Sequence, residues 1–327
     1  MDEKIREIET LRRKIAKNDK LLSEMRKPVA SREKTSRQLS GKEAAPLRYS
    51  GVDGHGYYVY GIVQGDSGQP IDGLPNEGID PAYPVYALPY QAIQAVVSMV
   101  SLQEFGQEQL EANLNDIQWL EAKVRAHETT LESVMVGHTL IPMRFCTIYQ
   151  SESRVREVLA QHYNDLLDGL ARLEGRQEWA VKVYYNVERL TRKVEETSDR
   201  VKELKAKVAQ ESRGVAYFLK KKLEQVIAEE MERICDEIAQ HSHDRLAGHT
   251  EDTRVNSLHS KEMTGRKEEM VLNGAYLVAE GQWAALRAEL ASLEKEYGTF
   301  GFGYELSGPW PLYNFVTIGF EETAADE

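Results

Sequence analysis

Four histidines, His241, His243, His249 and His259, crowd one polar stretch, and Asp244 follows the HxH pair. Imidazole nitrogens beside a carboxylate are a donor set for a divalent metal. The spacing argues against it. On a helix of 3.6 residues per turn, His241 and His243 point about 200° apart, so only strand or loop geometry would make them converge. The stretch reads as a solvated helix face, and no metal site is expected. Gly61, Gly65 and Gly68 follow a strand-like run, where a phosphate loop would sit, but no GK[ST] or helix start follows them. HExxH, GxSxG and GxGxxG are missing as well. Cys146 and Cys235 stand far apart without CxxC or Cys/His spacing, which speaks against a disulfide framework or zinc site. Cys146, after Phe145 in an apolar run, reads as a small core residue. No catalytic set and no cofactor site assembles from these residue types.

Two other groups of residues carry structural chemistry. Arg144 places a permanent charge inside Ile141-Pro142-Met143-Arg144-Phe145; if buried it needs a carboxylate, and Glu178 or Glu305 is the natural partner for a structural ion pair. Near the end, Pro309, Trp310, Pro311, Tyr313 and Phe315 put two prolines and three aromatic rings into seven residues. Each proline holds φ near about −65° and pushes its predecessor toward extended geometry. Trp310 is therefore held on both sides, and the segment is expected to be a stiff, extended clasp whose rings bury between two domains.

The elements that must position these groups follow from periodicity. Ile8, Leu11, Ile15, Leu22 and Met25, with Asn18 among them, form a short a/d heptad seam, so residues 1–28 read as a coiled-coil arm. Pro28 ends it, and residues 29–56 read as a flexible linker. Residues 57–177 form an N-terminal α/β domain: strands at Tyr57–Val63, Val85–Leu88 and Ile93–Val100, the last two separated by Pro89. A long helix over Gln107–Val134 comes next, with Leu120, Val124, His127, Leu131 and Val134 on one face. Thr139–Phe145 is extended, and a helix capped by Ser151 runs to about Gly175. Residues 178–307 read strand, helices, edge strand, strand, helix, strand, the βαββαβ order of a ferredoxin-like domain with a helical insertion. The narrow seam from Val187 to Val208 suggests an extended helix protruding from the sheet. Residues 308–327 form the tail. The fold class expected is α+β: two α/β domains, the C-terminal one ferredoxin-like with extra helices, plus the arm and the tail.

Charge is unevenly divided. Residues 1–48 carry 14 Lys and Arg against 8 Asp and Glu, which leaves the rest at −18 within a total of −12. An acidic body speaks against nucleic acid as the main partner. No stretch approaches the roughly 20 apolar residues of a membrane span, and a cytoplasmic protein is expected.

Five segments, in order, carry a family resemblance: Tyr58-Val59-Tyr60-Gly61-Ile62-Val63, Leu140-Ile141-Pro142-Met143-Arg144-Phe145, Glu178-Trp179-Ala180-Val181-Lys182-Val183, Asn273-Gly274-Ala275-Tyr276-Leu277-Val278, and Leu306-Ser307-Gly308-Pro309-Trp310-Pro311-Leu312-Tyr313-Asn314-Phe315-Val316. Together they resemble the gas vesicle GvpF/GvpL family. That family usually has Gly where this chain has Cys146, and often a second Pro where it has Leu312. The resemblance implies a non-enzymatic accessory or minor structural protein that binds the hydrophobic gas vesicle shell protein and assists nucleation and assembly. It also implies other accessory proteins as partners, localisation to the cytoplasm and the gas vesicle, and no cofactor. The rival from another class is a ferredoxin-like enzyme or small-ligand-binding protein with convergent polar groups in a pocket between the domains. A weaker rival is a coiled-coil adaptor.

The arm lies outside the resemblance. About three heptads are marginal alone in water, so the arm is expected to pair with a second copy or with another helix. Deleting residues 1–45 is expected to lower the oligomer mass in light scattering while leaving the folded domains intact.

Overall fold

The computed structural model describes residues 54–65, 71–316 and 318. The arm with Ile8, Leu11, Ile15, Leu22 and Met25, nearly all of the 29–56 linker, and the last residues of the tail lie outside the described residues. The chain divides into two compact units. One runs to Glu174 and is taken up again at Pro311; the other is Gly175–Trp310. Each has its own antiparallel sheet and its own helices.

The first unit contains strands β1 (His55–Gln64), β2 (Val85–Tyr90), β3 (Ile93–Ser101), β4 (Leu140–Pro142) and β5 (Ile148–Tyr149), with helices α1 (Leu102–Phe105), α2 (Gln107–Asn113), α3 (Ile117–Met135), α4 (Glu152–Gln161) and α5 (Tyr163–Leu173). The sheet order is β2-β3-β1-β4, and β5 also pairs with β1. The aromatic and β-branched run of β1 is buried along most of its length because neighbours pair with both its edges. Tyr58, Tyr60 and Val63 of β1 pack with Val96, Val100, Leu120, Val124, Leu131 and Val134 in one core. Gly61 lies where a side chain would collide: a Cβ there would come within 2.6 Å of a Leu140 methyl and 2.7 Å of the Ile141 carbonyl. Only glycine lets β4 close on β1 at this point.

Three elements differ from what the sequence predicts. Pro89 does not separate two strands; it lies inside β2, at the edge of the sheet, where a missing N–H removes no ladder bond. The long helix over Gln107–Val134 is two helices, because Asn113 and Asn115 turn their side-chain amides onto the Glu104 and Glu111 carbonyls. Asp116 then caps α3 by accepting the Gln118 and Trp119 N–H groups. The helix after Ser151 likewise divides into α4 and α5 at His162. Cys146 adopts φ +62°, the left-handed region that favours glycine.

The second unit contains β6 (Arg176–Tyr185), α6 (Val187–Thr197), α7 (Asp199–Gln210), α8 (Arg213–Ala247), β7 (Asp252–Val255), α9 (Lys261–Thr264), β8 (Glu269–Ala279), α10 (Trp283–Tyr297) and β9 (Phe302–Trp310). The sheet order is β7-β8-β6-β9, with every neighbouring pair antiparallel. Val181 and Val183 of β6 pack beneath Leu190, Val194, Val201, Leu204, Ile238, Leu246, Leu286 and Leu293. Trp179 stacks on Trp283 with ring centres 3.8 Å apart. The expected single helix from Val187 to Val208 is α6 and α7, divided where Ser198 caps α7 through the Val201 N–H. α8, at 35 residues, spans about 52 Å at 1.5 Å per residue. Among the described residues no helix is long and apolar enough to cross a membrane.

The left-handed conformation at Cys146 gives a direct test. Cys146→Gly is expected to leave stability within about 1 kcal/mol of the parent, whereas the β-branched Cys146→Val, forced to positive φ, costs more than about 2 kcal/mol. Urea unfolding midpoints of the three proteins measure the difference.

Candidate functional site

The C-terminal segment is built differently from an extended strap. β9 continues through Pro309 to Trp310, which is 8% exposed and donates its indole N–H to Ser307 Oγ at 3.1 Å. Pro309 is tolerated because β9 is an edge strand of its sheet. Gly308, at φ +136°, lies against β6, where a Cβ would meet the Glu178 carbonyl at 2.9 Å. Pro311 has no N–H to extend the ladder, and the chain turns: Tyr313 N–H donates to the Pro311 carbonyl at 2.7 Å and Phe315 N–H to the Leu312 carbonyl at 3.1 Å. Trp310 thus ends the second unit, while Pro311, Leu312, Tyr313 and Phe315 belong to the first. Leu312 and Phe315 are buried, and Arg172 of α5 donates to the Phe315 carbonyl.

Tyr313 joins a hydrogen-bonded chain at the centre of the first unit. His127 of α3 is fully buried, with Nδ1 2.9 Å from the Tyr58 hydroxyl and Nε2 2.9 Å from the Tyr313 hydroxyl. The Tyr58 oxygen also accepts the Cys146 N–H at 3.0 Å, so its single proton is free to point at Nδ1. That assigns the proton of neutral His127 to Nε2, which donates to Tyr313. With the opposite tautomer the buried Tyr58 proton would have no acceptor among the described residues. The Tyr60 ring stacks on the imidazole with centroids 5.7 Å apart, and its hydroxyl bonds Ser98 Oγ at 3.0 Å and accepts the Ile79 N–H at 2.7 Å. Burial lowers the His127 pKa to about 3 and raises that of Tyr58 well above its usual value. Both imidazole nitrogens are used by tyrosines, which leaves neither for a substrate. The arrangement holds the returning tail.

The other singled-out residues are dispersed. Arg144 is exposed, so its charge needs no buried partner, and Glu178 is fully buried in β6 opposite Trp310. Glu305 accepts Arg266 at 2.8 Å. His241 and His243 leave α8 toward different tyrosines, Tyr297 and Tyr276. Among the described residues no group of three or more His, Cys, Asp or Glu could hold a metal. A cleft of about 460 Å³ in the first unit is lined by His162, Asp165, Asp168 and Arg172. Its one guanidinium already serves the Phe315 carbonyl. His127 was placed on the buried face of α3 by helical spacing, but nothing in the sequence paired it with Tyr58 and Tyr313, which are 69 and 186 residues away.

The family model described as "Gas vesicle synthesis protein GvpL/GvpF" matches residues 56–317, spanning both sheets and the returning tail. The chain belongs to this GvpL/GvpF family. Relatives include gas vesicle protein L of Streptomyces sp. (strain CB03234), 28% identical over 81% of this chain and 94% of the relative. Gas vesicle protein F of Haloferax mediterranei is 23% identical over 80% of this chain and 93% of the relative. Among solved structures, GvpF from Anabaena sp. PCC7120 superposes with a TM-score of 0.63 at 18% identity, covering 81% of this chain and 99% of that one. GvpF from Microcystis aeruginosa gives 0.57 at 20% identity, covering 80% and 99%. These structural likenesses establish a GvpF-like fold. The GvpL/GvpF match includes Tyr58, His127 and Tyr313 and stops short of the arm.

Protonation of His127 must cost stability. The unfolded histidine titrates near 6.5 and the folded one near 3, so the stabilisation is complete above about pH 6.5 and is lost as pH falls toward 3. Between pH 7 and pH 5 the parent is expected to lose about 2 kcal/mol from this group, and His127→Phe should lose correspondingly less over the same interval. Chemical denaturation at the two pH values checks both. Tyr313→Phe, which strips the Nε2–H of its acceptor, should cost about 1–3 kcal/mol at pH 7.

Proposed function

We propose that this protein is a non-enzymatic gas vesicle assembly factor that binds the hydrophobic shell protein and keeps it soluble until shell growth begins. The observation that carries the reading is the family match over residues 56–317, supported by relatives named as gas vesicle proteins L and F. The physics is consistent with it. A subunit with a large apolar surface aggregates when left alone, and an acidic, soluble partner can shield that surface. In this reading the protein works at the gas vesicle, alongside other accessory proteins.

The second unit is proposed to be ferredoxin-like. Its sheet order, with helices between the first and second strands and between the third and fourth, supports that assignment. Pro309, Trp310, Pro311, Tyr313 and Phe315 are proposed to act as the structural clasp, with Trp310 anchored in one unit and Tyr313 and Phe315 in the other. Arg144 and Glu178 are proposed as a structural ion pair, a reading that the exposure of Arg144 and the full burial of Glu178 do not favour. The arm is proposed to mediate pairing.

Co-expression with the shell protein tests the reading. Shell protein is expected to shift from the insoluble to the soluble fraction and to co-purify with this chain on affinity resin. Equal insolubility with and without the chain, and no co-purification, would overturn it.

A further inference from the structure

The tip formed by the end of α7 and the start of α8 departs from the rest of the acidic body. No residue of α8 before Val226 is buried. Tyr217 and Phe218 are 65% and 73% exposed, and Val215 is exposed beside them. The two rings meet edge to face with centroids 5.7 Å apart, which makes a convex aromatic knob. The same stretch of chain carries Lys207, Arg213, Lys220, Lys221 and Lys222, all exposed, and Glu211 is the one acid between residues 206 and 222.

A face of opposite character lies on the first unit. From residue 107 to 122 there are four acids and no basic residue. Glu108, Glu111 and Asp116 are exposed, and Ile117, directly after Asp116 at the start of α3, is 72% exposed. Glu104, just before this stretch, is already matched by Lys123 at 2.8 Å, and Glu121 has Arg125 at 3.9 Å. The exposed acids have no such neighbour on their own helices.

We propose that the α7–α8 tip of one copy docks on the α2–α3 face of a second copy, Tyr217 and Phe218 covering Ile117 while the lysines meet Glu108, Glu111 and Asp116. The occupant is argued from complementarity: the tip needs an acidic surface with an exposed apolar centre, and this chain carries one. The contact is heterologous, since it joins different surfaces, so each copy keeps a free tip and a free face. Association therefore continues with concentration and does not stop at a dimer. With two rings at its centre, the contact is at the small, transient end of interfaces and is weakened by salt. It requires neither the shell protein nor the arm.

The full chain tests this in light scattering and sedimentation velocity. Mass should rise with concentration at low salt and fall back at high salt. Tyr217→Ser with Phe218→Ser, which removes the apolar centre, and Lys220→Glu with Lys221→Glu and Lys222→Glu, or Glu108→Lys with Glu111→Lys, which set like charges face to face, should each weaken association by about tenfold or more. All these positions are exposed, so thermal unfolding should be unchanged. The two charge-reversed variants should recover association when mixed, since the acidic tip of one meets the basic face of the other. Self-association that is as strong in all three variants as in the parent belongs to the arm or another surface and overturns the proposal. So does a mixture that stays dissociated, a parent that is monomeric at every concentration, or a monomer whose tip binds phosphatidylserine vesicles instead.

Discussion

A neutral imidazole with both nitrogens engaged holds three distant stretches of chain at one point in the first unit. Tyr58 comes from the central strand, His127 from the long helix across it, and Tyr313 from a segment that arrives only after the whole second unit has been made. Burying a histidine is costly unless it is neutral and both its polar atoms are satisfied. The three groups therefore depend on each other. With the tail absent, the Nε2–H would be left in an apolar core.

That constraint shapes the rest of the unit. β1 presents Tyr58 and Tyr60 to His127 of α3 from the interior of its sheet, with strands paired on both its edges and the bare backbone of Gly61 letting β4 approach. Cys146 must present its N–H to Tyr58, which places it at a positive φ where glycine would be unstrained. The left-handed cysteine and the close-packed glycine thus serve one network. Arg172 adds a second hold on the tail through the Phe315 carbonyl.

The second unit shows a different economy. Its sheet and the inner faces of α6, α7, α8 and α10 enclose a conventional apolar core, while the first turns of α8 carry exposed rings and lysines outside any core. A solvated helix end has no folding reason to display Tyr217 and Phe218, whose burial would be favourable wherever it could be had. For a member of a gas vesicle family, features that stability does not explain are where contacts with other molecules are sensibly sought.

Much of this was legible in sequence, because local physics decides it. Alternating and 3.6-residue patterns located the strands and most helices, the histidine spacing on α8 argued correctly against convergence, and the five ordered segments pointed to the family that the comparisons establish. Breaks were less legible. Asn113, Asn115, Asp116 and Ser198 end or restart helices through side-chain bonds to backbone, which compete with an apolar periodicity that runs straight through them. The sequence by itself determined that His127 faces a core, that the stretch after Gly308 cannot be an ordinary helix, and that the body is acidic. Only the tertiary structure decided that Tyr313 returns to His127, that Arg144 stands in solvent, and that Tyr217 and Phe218 lie beyond the packed part of α8. Those outcomes depend on contacts between residues far apart in the chain, and local periodicity carries no record of which distant surface will arrive.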